Sequence, residues 1–363
     1  MPRPDLTIAI GTPNACNQCH EKESPQWADN YITKWYGEKR KPHFGTAFAL
    51  AREADKNALD DIIQISKNGL YPAIVRATAV FLLANYRINE SLDAVTWALN
   101  DDEPLVRYNA VRAFNSRDQQ LLLKNLSPLL NDPIKSIRME AGFKLSVLPA
   151  ERIPTTKKKV LQKALEEYVD AMNYSADFSG SQHNLGIFYS NLQNDEQAAK
   201  HYYEAIKIDS LFFPAKANLS VTLNKLGRND EAEVILRDLI KTHPEFYDSY
   251  YSLGLLLAEK KDYDGAVTYL QKASILMPER SRILYNLGLM LQFLKRNDEA
   301  GKALLSALKI EPENFDYLYA LADHYIKINK AEEAKKYAER LKTNFPTSGV
   351  GEQILDYLEK TSK

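Results

Sequence analysis

The chain has 363 residues, which is long for one domain and predicts two or three. Its 45% hydrophobic and 26% charged residues are typical of an ordinary globular protein, and the formal net charge of −1 gives no electrostatic reason to expect a nucleic acid or an acidic membrane as partner. No stretch reaches the ~18 apolar residues of a membrane-spanning helix, and the first residues show no basic stretch followed by an apolar core, so no signal peptide is visible.

The two cysteines of the chain stand in the sequence Cys16-Asn17-Gln18-Cys19-His20. This CxxCH spacing suits covalent attachment of a haem, because both thiols can add to the vinyl groups of one porphyrin and the adjacent histidine can ligate the iron. In a helical turn, positions i, i+3 and i+4 share one face, so the three side chains are expected to lie together. The motif predicts one haem c, bound covalently by Cys16 and Cys19, with His20 as an axial ligand.

Three other interpretations of the motif stay open. The cysteines could form half of a zinc site, although no second cysteine pair exists, or a thioredoxin-like redox pair, although no βαβ pattern surrounds them, or they could be inert. His43 follows His20 by 23 residues and is either the second axial ligand, carried back over the haem by a loop, or a packing histidine ahead of a helix. We expect Trp27, Trp35 and Tyr36 to pack beside the haem or the first helix.

Between residues 57 and 150 a pattern recurs every 31 residues and centres on three arginines, Arg76, Arg107 and Arg138. A proline precedes each arginine and an alanine follows it three residues later: the prolines are Pro72, Pro104 and Pro133, and the alanines are Ala79, Ala110 and Ala141. Proline in the first turn and a buried aliphatic residue before each arginine suit stacked helix pairs. The segment resembles HEAT-type helical repeats, in which we expect each arginine to tie neighbouring repeats together.

A second pattern, with a period of 34 residues, fills the C-terminal half. It places prolines at Pro244, Pro278, Pro312 and Pro346, alanines at Ala198, Ala232, Ala266, Ala300 and Ala334, and leucines at Leu185, Leu219, Leu253, Leu287 and Leu321. Small residues let two helices approach closely, the leucines fill the space between helix pairs, and the prolines stop the second helix of each unit. Five copies in phase resemble the tetratricopeptide repeat, whose units bury their apolar faces only when stacked.

These patterns predict an all-α protein whose repeats form one extended α-solenoid behind a small haem-binding segment. The expected parts are a haem-binding segment at residues 1–56, HEAT-like repeats at 57–150, a linker and capping helix at 151–178, five tetratricopeptide repeats at 179–346 and a C-terminal capping helix at 347–363. The capping helices are expected to cover the apolar ends of the repeat array.

The residues around the CxxCH motif, among them Trp27, Trp35 and His43, and the repeats that follow resemble a bacterial family that joins a multihaem cytochrome c domain to HEAT-like and tetratricopeptide repeats. The resemblance covers nearly the whole chain and implies a periplasmic or exported protein that transfers electrons and has redox proteins as partners. Family members carry an export signal and further CxxCH motifs upstream, and neither precedes Cys16 here. We therefore expect either an N-terminally truncated fragment or a chain that has lost its cytochrome half and is not loaded with haem.

The first helix of each tetratricopeptide repeat is expected to line a concave groove. Its fifth position in successive repeats holds His183, Ala217, Tyr251, Tyr285 and Tyr319, and its sixth position holds Asn184, Asn218, Ser252, Asn286 and Ala320. Tyrosine supplies rigid contact area and asparagine can bond a peptide backbone, so we expect the groove to hold an extended or helical segment of another protein. The competing interpretation is that these tyrosines are common packing residues of the repeat.

No Ser/His/Asp order, phosphate-binding glycine loop or HExxH motif is present, so the sequence predicts no hydrolase or transferase activity. Two functions remain. The first is electron transfer by a haem-bearing protein whose repeats bind a partner. The second is a pure interaction scaffold whose CxxCH motif carries no haem.

Overall fold

Residues 2–361 are described by a computed structural model, and every regular element in that range is a helix. None of these helices has both the length and the apolar character that a bilayer crossing demands. Contacts divide the chain between Tyr174 and Ser175 into two units, and within each unit most helices pack on their neighbours in sequence. The predicted all-α class with helical repeats is confirmed.

The first unit begins with α1 (Pro4–Ile10), α2 (Ala15–Cys19), α3 (Pro25–Tyr36) and α4 (Phe44–Arg52). It continues with α5 (Leu59–Lys67), α6 (Ala73–Leu83), α7 (Asn89–Ala98), α8 (Pro104–Ala113), α9 (Gln119–Leu126), α10 (Lys135–Leu145) and α11 (Thr155–Tyr174). Short 3-10 turns lie at Lys56–Ala58, Ser127–Asn131 and Ala150–Arg152. One apolar core extends from Ala47 on α4 to Ala164 on α11 and holds these later helices together.

Local capping determines where the N-terminal helices begin and end. Asn14 accepts a hydrogen bond from the backbone N–H of Asn17 at 3.1 Å and begins α2, while Ser24 accepts one from Trp27 at 3.1 Å and begins α3. Gly37 ends α3 with a φ of 86°, a value that favours glycine. Because α1 packs on both α3 and α4, the short α2 lies in a connection whose two ends are anchored.

Three arginines tie the HEAT-like repeats together, as their spacing predicts. Each pairs with an acidic side chain 25 or 29 residues further along the chain: Arg76 with Asp101, Arg107 with Asp132 and Arg138 with Glu167. Arg107 Nε donates to Asp132 Oδ2 at 2.8 Å, and its Nη1 donates to the backbone oxygen of Asp101 at 2.7 Å. Asp132 also accepts the N–H of Ile134 at 2.9 Å. The arginines are therefore structural, because their donors bind the turns between repeats.

The helix α11 covers the last HEAT-like repeat. It packs on α10, where the rings of Phe143 and Tyr168 stack with centroids 4.9 Å apart. Glu167 accepts two hydrogen bonds from Arg138, at 2.7 and 2.9 Å. The helix expected in the linker region thus begins at Thr155 and covers the last HEAT-like repeat. Its expected role as the cap of the tetratricopeptide array stays a prediction.

Within residues 175–361, five helix pairs are followed by a final helix. The pairs are α12 (Ser179–Asn191) with α13 (Asp195–Ile208), α14 (Phe213–Lys225) with α15 (Asn229–Thr242), α16 (Tyr247–Glu259) with α17 (Tyr263–Leu276), α18 (Ser281–Phe293) with α19 (Asn297–Ile310), and α20 (Phe315–Lys327) with α21 (Ala331–Asn344). A 3-10 turn at Pro346–Ser348 leads to α22 (Val350–Thr361), which packs on α21.

Small residues bring the two helices of a repeat together. An added Cβ would approach the side chain of Tyr202 to 2.3 Å from Gly186, Leu270 to 2.8 Å from Gly254 and Leu304 to 2.7 Å from Gly288. The alanines and leucines of the 34-residue pattern are buried throughout the array. The periodic small and aliphatic residues are therefore the packing residues of the array, as predicted.

Each turn between the two helices of a repeat contains one residue with a positive φ. These residues follow one another at intervals of 34, with φ between 58° and 73°: Gln193, Gly227, Lys261, Lys295 and Asn329. Glycine adopts such a conformation without penalty, whereas it is unfavourable for residues that have a Cβ. Four of these five turns therefore hold a residue in a conformation that costs free energy.

Candidate functional site

The CxxCH motif forms a single helical turn, α2. Cys19 and His20 are exposed, Cys16 is half-buried, and both thiols are free. The N–H of His20 donates to the carbonyl oxygen of Cys16 at 2.9 Å, so the turn ends on the histidine. Two free thiols and an accessible imidazole therefore lie within one turn, which is the set of groups that a covalent haem requires.

A row of aromatic rings on α3 begins beside His20. The ring centroids lie 4.9 Å apart for His20 and Trp27, 5.0 Å for Trp27 and Tyr31, and 5.6 Å for Tyr31 and Trp35. Rings four residues apart share one face of a helix. Trp27 is half-buried and restrains the histidine ring, whereas Trp35 is 63% exposed, as is Tyr36 outside the row.

His43 is the N-cap of α4. Its Nδ1 accepts the N–H of Gly45 at 3.0 Å, and its ring stacks on Phe44 with centroids 4.2 Å apart. It lines a cavity of about 1000 Å³, and in the described part of the chain that lining contains neither His20 nor the two cysteines. The structure therefore does not bring His43 and the CxxCH turn into one cavity, and this geometry favours the packing interpretation of His43.

Charged side chains form a paired network along that cavity. Arg40 bridges Asp5 and Asp29, and donates to the hydroxyl of Thr33 at 2.8 Å. A hydrogen bond from Arg3, together with Arg40, lowers the pKa of Asp5 to about 2. The wall of the cavity is thus held by internal ion pairs.

The first helices of successive tetratricopeptide repeats contact one another, as α12 does with α14, α14 with α16, and α18 with α20. In a curved stack such contacts mark the concave side. We call the surface formed by the fifth positions given above and by the ninth positions the inner face. The ninth positions are Ile187, Val221, Leu255, Leu289 and Asp323.

Two of the predicted groove asparagines bond the fifth-position side chain of the preceding repeat. Asn218 Nδ2 donates to His183 Nε2 at 2.9 Å, and Asn286 Nδ2 donates to the hydroxyl of Tyr251 at 2.8 Å. Burial lowers the pKa of His183 and raises that of Tyr251, so both side chains are neutral near pH 7. Asn184 is half-buried on α12. The amides of Asn218 and Asn286 therefore join successive repeats.

The three predicted groove tyrosines, Tyr251, Tyr285 and Tyr319, differ in their exposure and packing. The ring of Tyr285 lies 5.1 Å from the ring of Tyr317, and the guanidinium of Arg282 lies 5.1 Å from the Tyr285 centroid. Tyr319 is 47% exposed. Tyr251 and Tyr285 are therefore partly engaged in packing, and Tyr319 presents the most open ring of the three.

Four of the five ninth positions carry apolar side chains that the sequence prediction left out. Val221 is 51% exposed, and Leu255 and Leu289 are half-buried. Between α14 and α16, Val221 and Leu255 line a cavity of about 160 Å³. A signal for these residues was present in the sequence, because they follow the fifth positions by four residues and therefore lie on the same helical face.

Family models match both repeat regions. A HEAT repeat model matches residues 59–146, and tetratricopeptide repeat models match residues 179–210, 222–276, 281–314 and 316–348. The chain therefore carries HEAT repeats followed by tetratricopeptide repeats. The CxxCH segment lies outside the matched ranges, so the resemblance to a multihaem cytochrome stays a prediction. No curated protein matches the chain significantly.

Several solved structures are similar to about half of the chain. YrrB, described as a TPR protein with an unusual peptide-binding site, is 19% identical, with a TM-score of 0.46, and the match covers 52% of this chain and 96% of that one. A MamA protein is 20% identical, with a TM-score of 0.44 and coverage of 46% and 91%. MamA 41-end from Desulfovibrio magneticus RS-1 is 19% identical, with a TM-score of 0.43 and coverage of 46% and 93%.

Proposed function

We propose that the chain is an interaction scaffold whose tetratricopeptide repeats hold a segment of another protein on the inner face. The observation that carries this proposal is the exposure of large side chains along that face, with Val221 and Tyr319 each about half exposed. Large apolar groups that remain accessible on a repeat face are typical of interaction sites.

The chemistry of the inner face favours a peptide segment over a charged small ligand. Its fifth positions carry neutral side chains, such as His183 and Tyr251, and its ninth positions are mostly aliphatic. Hydroxyl and amide groups can bond a peptide backbone while the aliphatic positions bury its side chains. We therefore expect an extended or helical segment, bound mainly by aromatic, aliphatic and amide contacts.

Replacing Tyr319 by alanine tests this proposal. Peptides are selected on the full-length wild type from a random display library, and their affinities are measured by fluorescence anisotropy. We expect Tyr319→Ala to weaken the binding of peptides that reach it about tenfold, because an anchoring tyrosine at an interface contributes more than ~1 kcal/mol. Ile275→Ala, at a 72% exposed site on the second helix α17, is the matched control and should change nothing.

Circular dichroism verifies that both variants are folded. If the folded Tyr319→Ala variant and a folded Val221→Phe variant both bind every selected peptide as tightly as the wild type and the Ile275→Ala control do, the inner face is not the binding surface. The proposal is also contradicted if no peptide of the library binds the wild type.

The accessible CxxCH turn favours a second function. We propose that Cys16 and Cys19 bind one haem c covalently and that His20 ligates its iron. The residues present fit this group, because the thiols are free, the imidazole is exposed and Trp27 orients the imidazole ring. A bound haem would supply one-electron redox chemistry with redox proteins as partners. Since covalent haem attachment takes place outside the bacterial cytoplasm, this proposal places the protein in the periplasm.

His43 is the candidate for a second axial ligand in this proposal. Its Nδ1 accepts the Gly45 N–H, so the proton of the neutral ring is on Nε2. Ligation of iron through Nε2 would require this hydrogen bond to break and the proton to move to Nδ1. Ligation would require the CxxCH turn to move toward the cavity that His43 lines. The haem spectrum of His43→Ala distinguishes the two interpretations, because loss of an axial ligand changes the spin state, whereas loss of a packing residue does not.

Covalent haem is tested by export of the full chain, with an added signal peptide, in a strain that matures c-type cytochromes. We expect a haem-stained band on a denaturing gel for the wild type and none for the Cys16→Ala, Cys19→Ala double variant. The helical signal of both should agree, since the apolar core of the first unit starts at Ala47. An exported wild type without covalent haem would overturn this second function and leave the scaffold proposal intact.

A further inference from the structure

The inner face contains a small cavity between the second and third tetratricopeptide repeats. Its walls are mostly apolar, with Val221 on α14, Leu236 on α15 and Leu255 on α16 beside the small polar residues Ser220 and Ser252, and its volume is about 160 Å³. Leu236 is buried beneath it, and Val221 is half exposed at its rim. An apolar cavity of roughly 150 Å³ accommodates one benzene-sized group, so this cavity is large enough for a single leucine, isoleucine or methionine side chain.

One edge of the cavity is charged. Glu259, an exposed residue near the C-terminal end of α16, lines the cavity together with Asn224 of α14. Asn224 Nδ2 donates to Glu259 Oε2 at 2.8 Å and to Asn229 Oδ1 at 3.2 Å, which holds the carboxylate at the rim. An amide is a neutral partner, so it orients the carboxylate without neutralising its charge. An apolar floor with an acidic rim is complementary to an aliphatic side chain that has a basic residue beside it.

We propose that this cavity is the specificity pocket of the inner face and that it receives a leucine-sized aliphatic side chain of the partner segment, with a neighbouring lysine or arginine bound to Glu259. This inference rests on the proposed scaffold function, because it names the residue pair that the bound segment must carry. Burial of the aliphatic side chain supplies affinity, and the carboxylate selects the charge of its neighbour.

The selected peptides provide the first test. Peptides that bind the full-length wild type should be enriched in an aliphatic residue next to lysine or arginine, relative to the unselected library. We expect Val221→Phe, which fills the cavity from its rim, to weaken these peptides about tenfold or more, the factor that corresponds to losing the burial of one aliphatic side chain. Val234→Phe is the matched control, because it makes the same change at a 66% exposed valine of α15.

Charge reversal provides the second test. Glu259→Lys should lower affinity for peptides with a basic neighbour and raise it for the same peptides with glutamate there. Glu279→Lys makes the same change in net charge at an exposed site before α18 and should leave this preference unaltered. Each variant is verified by its circular dichroism spectrum and unfolding midpoint.

The outcomes separate this inference from the function on which it rests. Loss of binding in Val221→Phe and reversal in Glu259→Lys, with both controls unchanged, support the pocket. If Tyr319→Ala weakens binding but no selected peptide responds to Val221→Phe, the pocket is overturned and the inner face stands. If neither variant affects any selected peptide, both proposals are overturned.

Discussion

Leu287 illustrates how single residues stabilise the array. It lies on α18, is 6% exposed and packs with Leu270, Leu291 and Ala300 in one apolar cluster. We expect Leu287→Ala to lower the free energy of unfolding by about 2–5 kcal/mol, the usual result of truncating a buried leucine. Glu279→Ala, at an exposed site, should change it by no more than ~0.5 kcal/mol. Equal urea midpoints for the two variants would show that the 34-residue repeat is assigned out of phase.

Buried histidines make the stability of the array depend on pH. Burial lowers the pKa values of His183, His201 and His324. As the pH falls through the ordinary histidine value of about 6.5, the unfolded chain therefore takes up protons before the native state does. The free energy of unfolding should decrease through that interval, and the loss is complete once the pH is below the lowered native pKa values.

His324 provides the residue-level test of this dependence. It is 2% exposed on α20 and faces Gly301 of α19, where an added Cβ would lie 3.0 Å from its Nε2. Because glutamine does not titrate, His324→Gln should show a smaller fall in melting temperature than the wild type between about pH 7.5 and about pH 5. If the melting temperatures of the two proteins fall by the same amount across that interval, burial of His324 does not cause the pH dependence.

At the scale of the element, the turns of the repeats carry a measurable strain. Lys295 has a φ of 58° between α18 and α19, and Gly227 occupies the equivalent place between α14 and α15. We expect Lys295→Gly to raise the free energy of unfolding by up to about 1 kcal/mol, because relief of the left-handed conformation outweighs the added flexibility of the unfolded chain. Lys302→Gly, in the interior of α19 at an exposed site, should instead lower it by about 1 kcal/mol. Urea denaturation of both variants measures the difference.

The elements were predictable from the sequence because each repeat imposes the same residue types on the same buried positions. Leu287 and Gly288 recur at a period that corresponds to one helix pair, so their spacing alone indicates the packing. The role of Arg76, Arg107 and Arg138 in joining the HEAT-like repeats was predictable for the same reason. The partners of the groove residues were not, since the bond between Asn286 and Tyr251 depends on how two repeats stack.

The inner-face cavity could not be predicted for a related reason. Its volume depends on the sizes of side chains from three helices, α14, α15 and α16, and on the approach of those helices. The CxxCH motif shows the opposite case, because its chemistry is readable from five consecutive residues. The position of His43 relative to that motif depends on the path of the intervening chain, which no local pattern encodes.

At the scale of the whole molecule, each unit has its own apolar clusters. The buried core of the first unit extends from Ala47 to Ala164, and the clusters of the second unit, with the partly buried residues packed on them, extend from Ile187 to Ile354. Repeat arrays are stabilised by contacts within a repeat and between neighbours, and α22 covers the last pair. We therefore expect the fragment 175–363 to fold without residues 1–174.

The expected result is a helical circular dichroism spectrum with a cooperative urea transition, because all the apolar clusters of the second unit are retained in the fragment. Leu287→Ala should lower the urea midpoint of the fragment as much as it lowers the midpoint of the second unit in the full chain. The reason is that the Leu287 side chain makes the same contacts in the fragment as in the full chain. A fragment that is helical but unfolds without cooperativity would show that its repeats depend on the first unit. In that case peptide binding by the inner face could be measured only on the full chain.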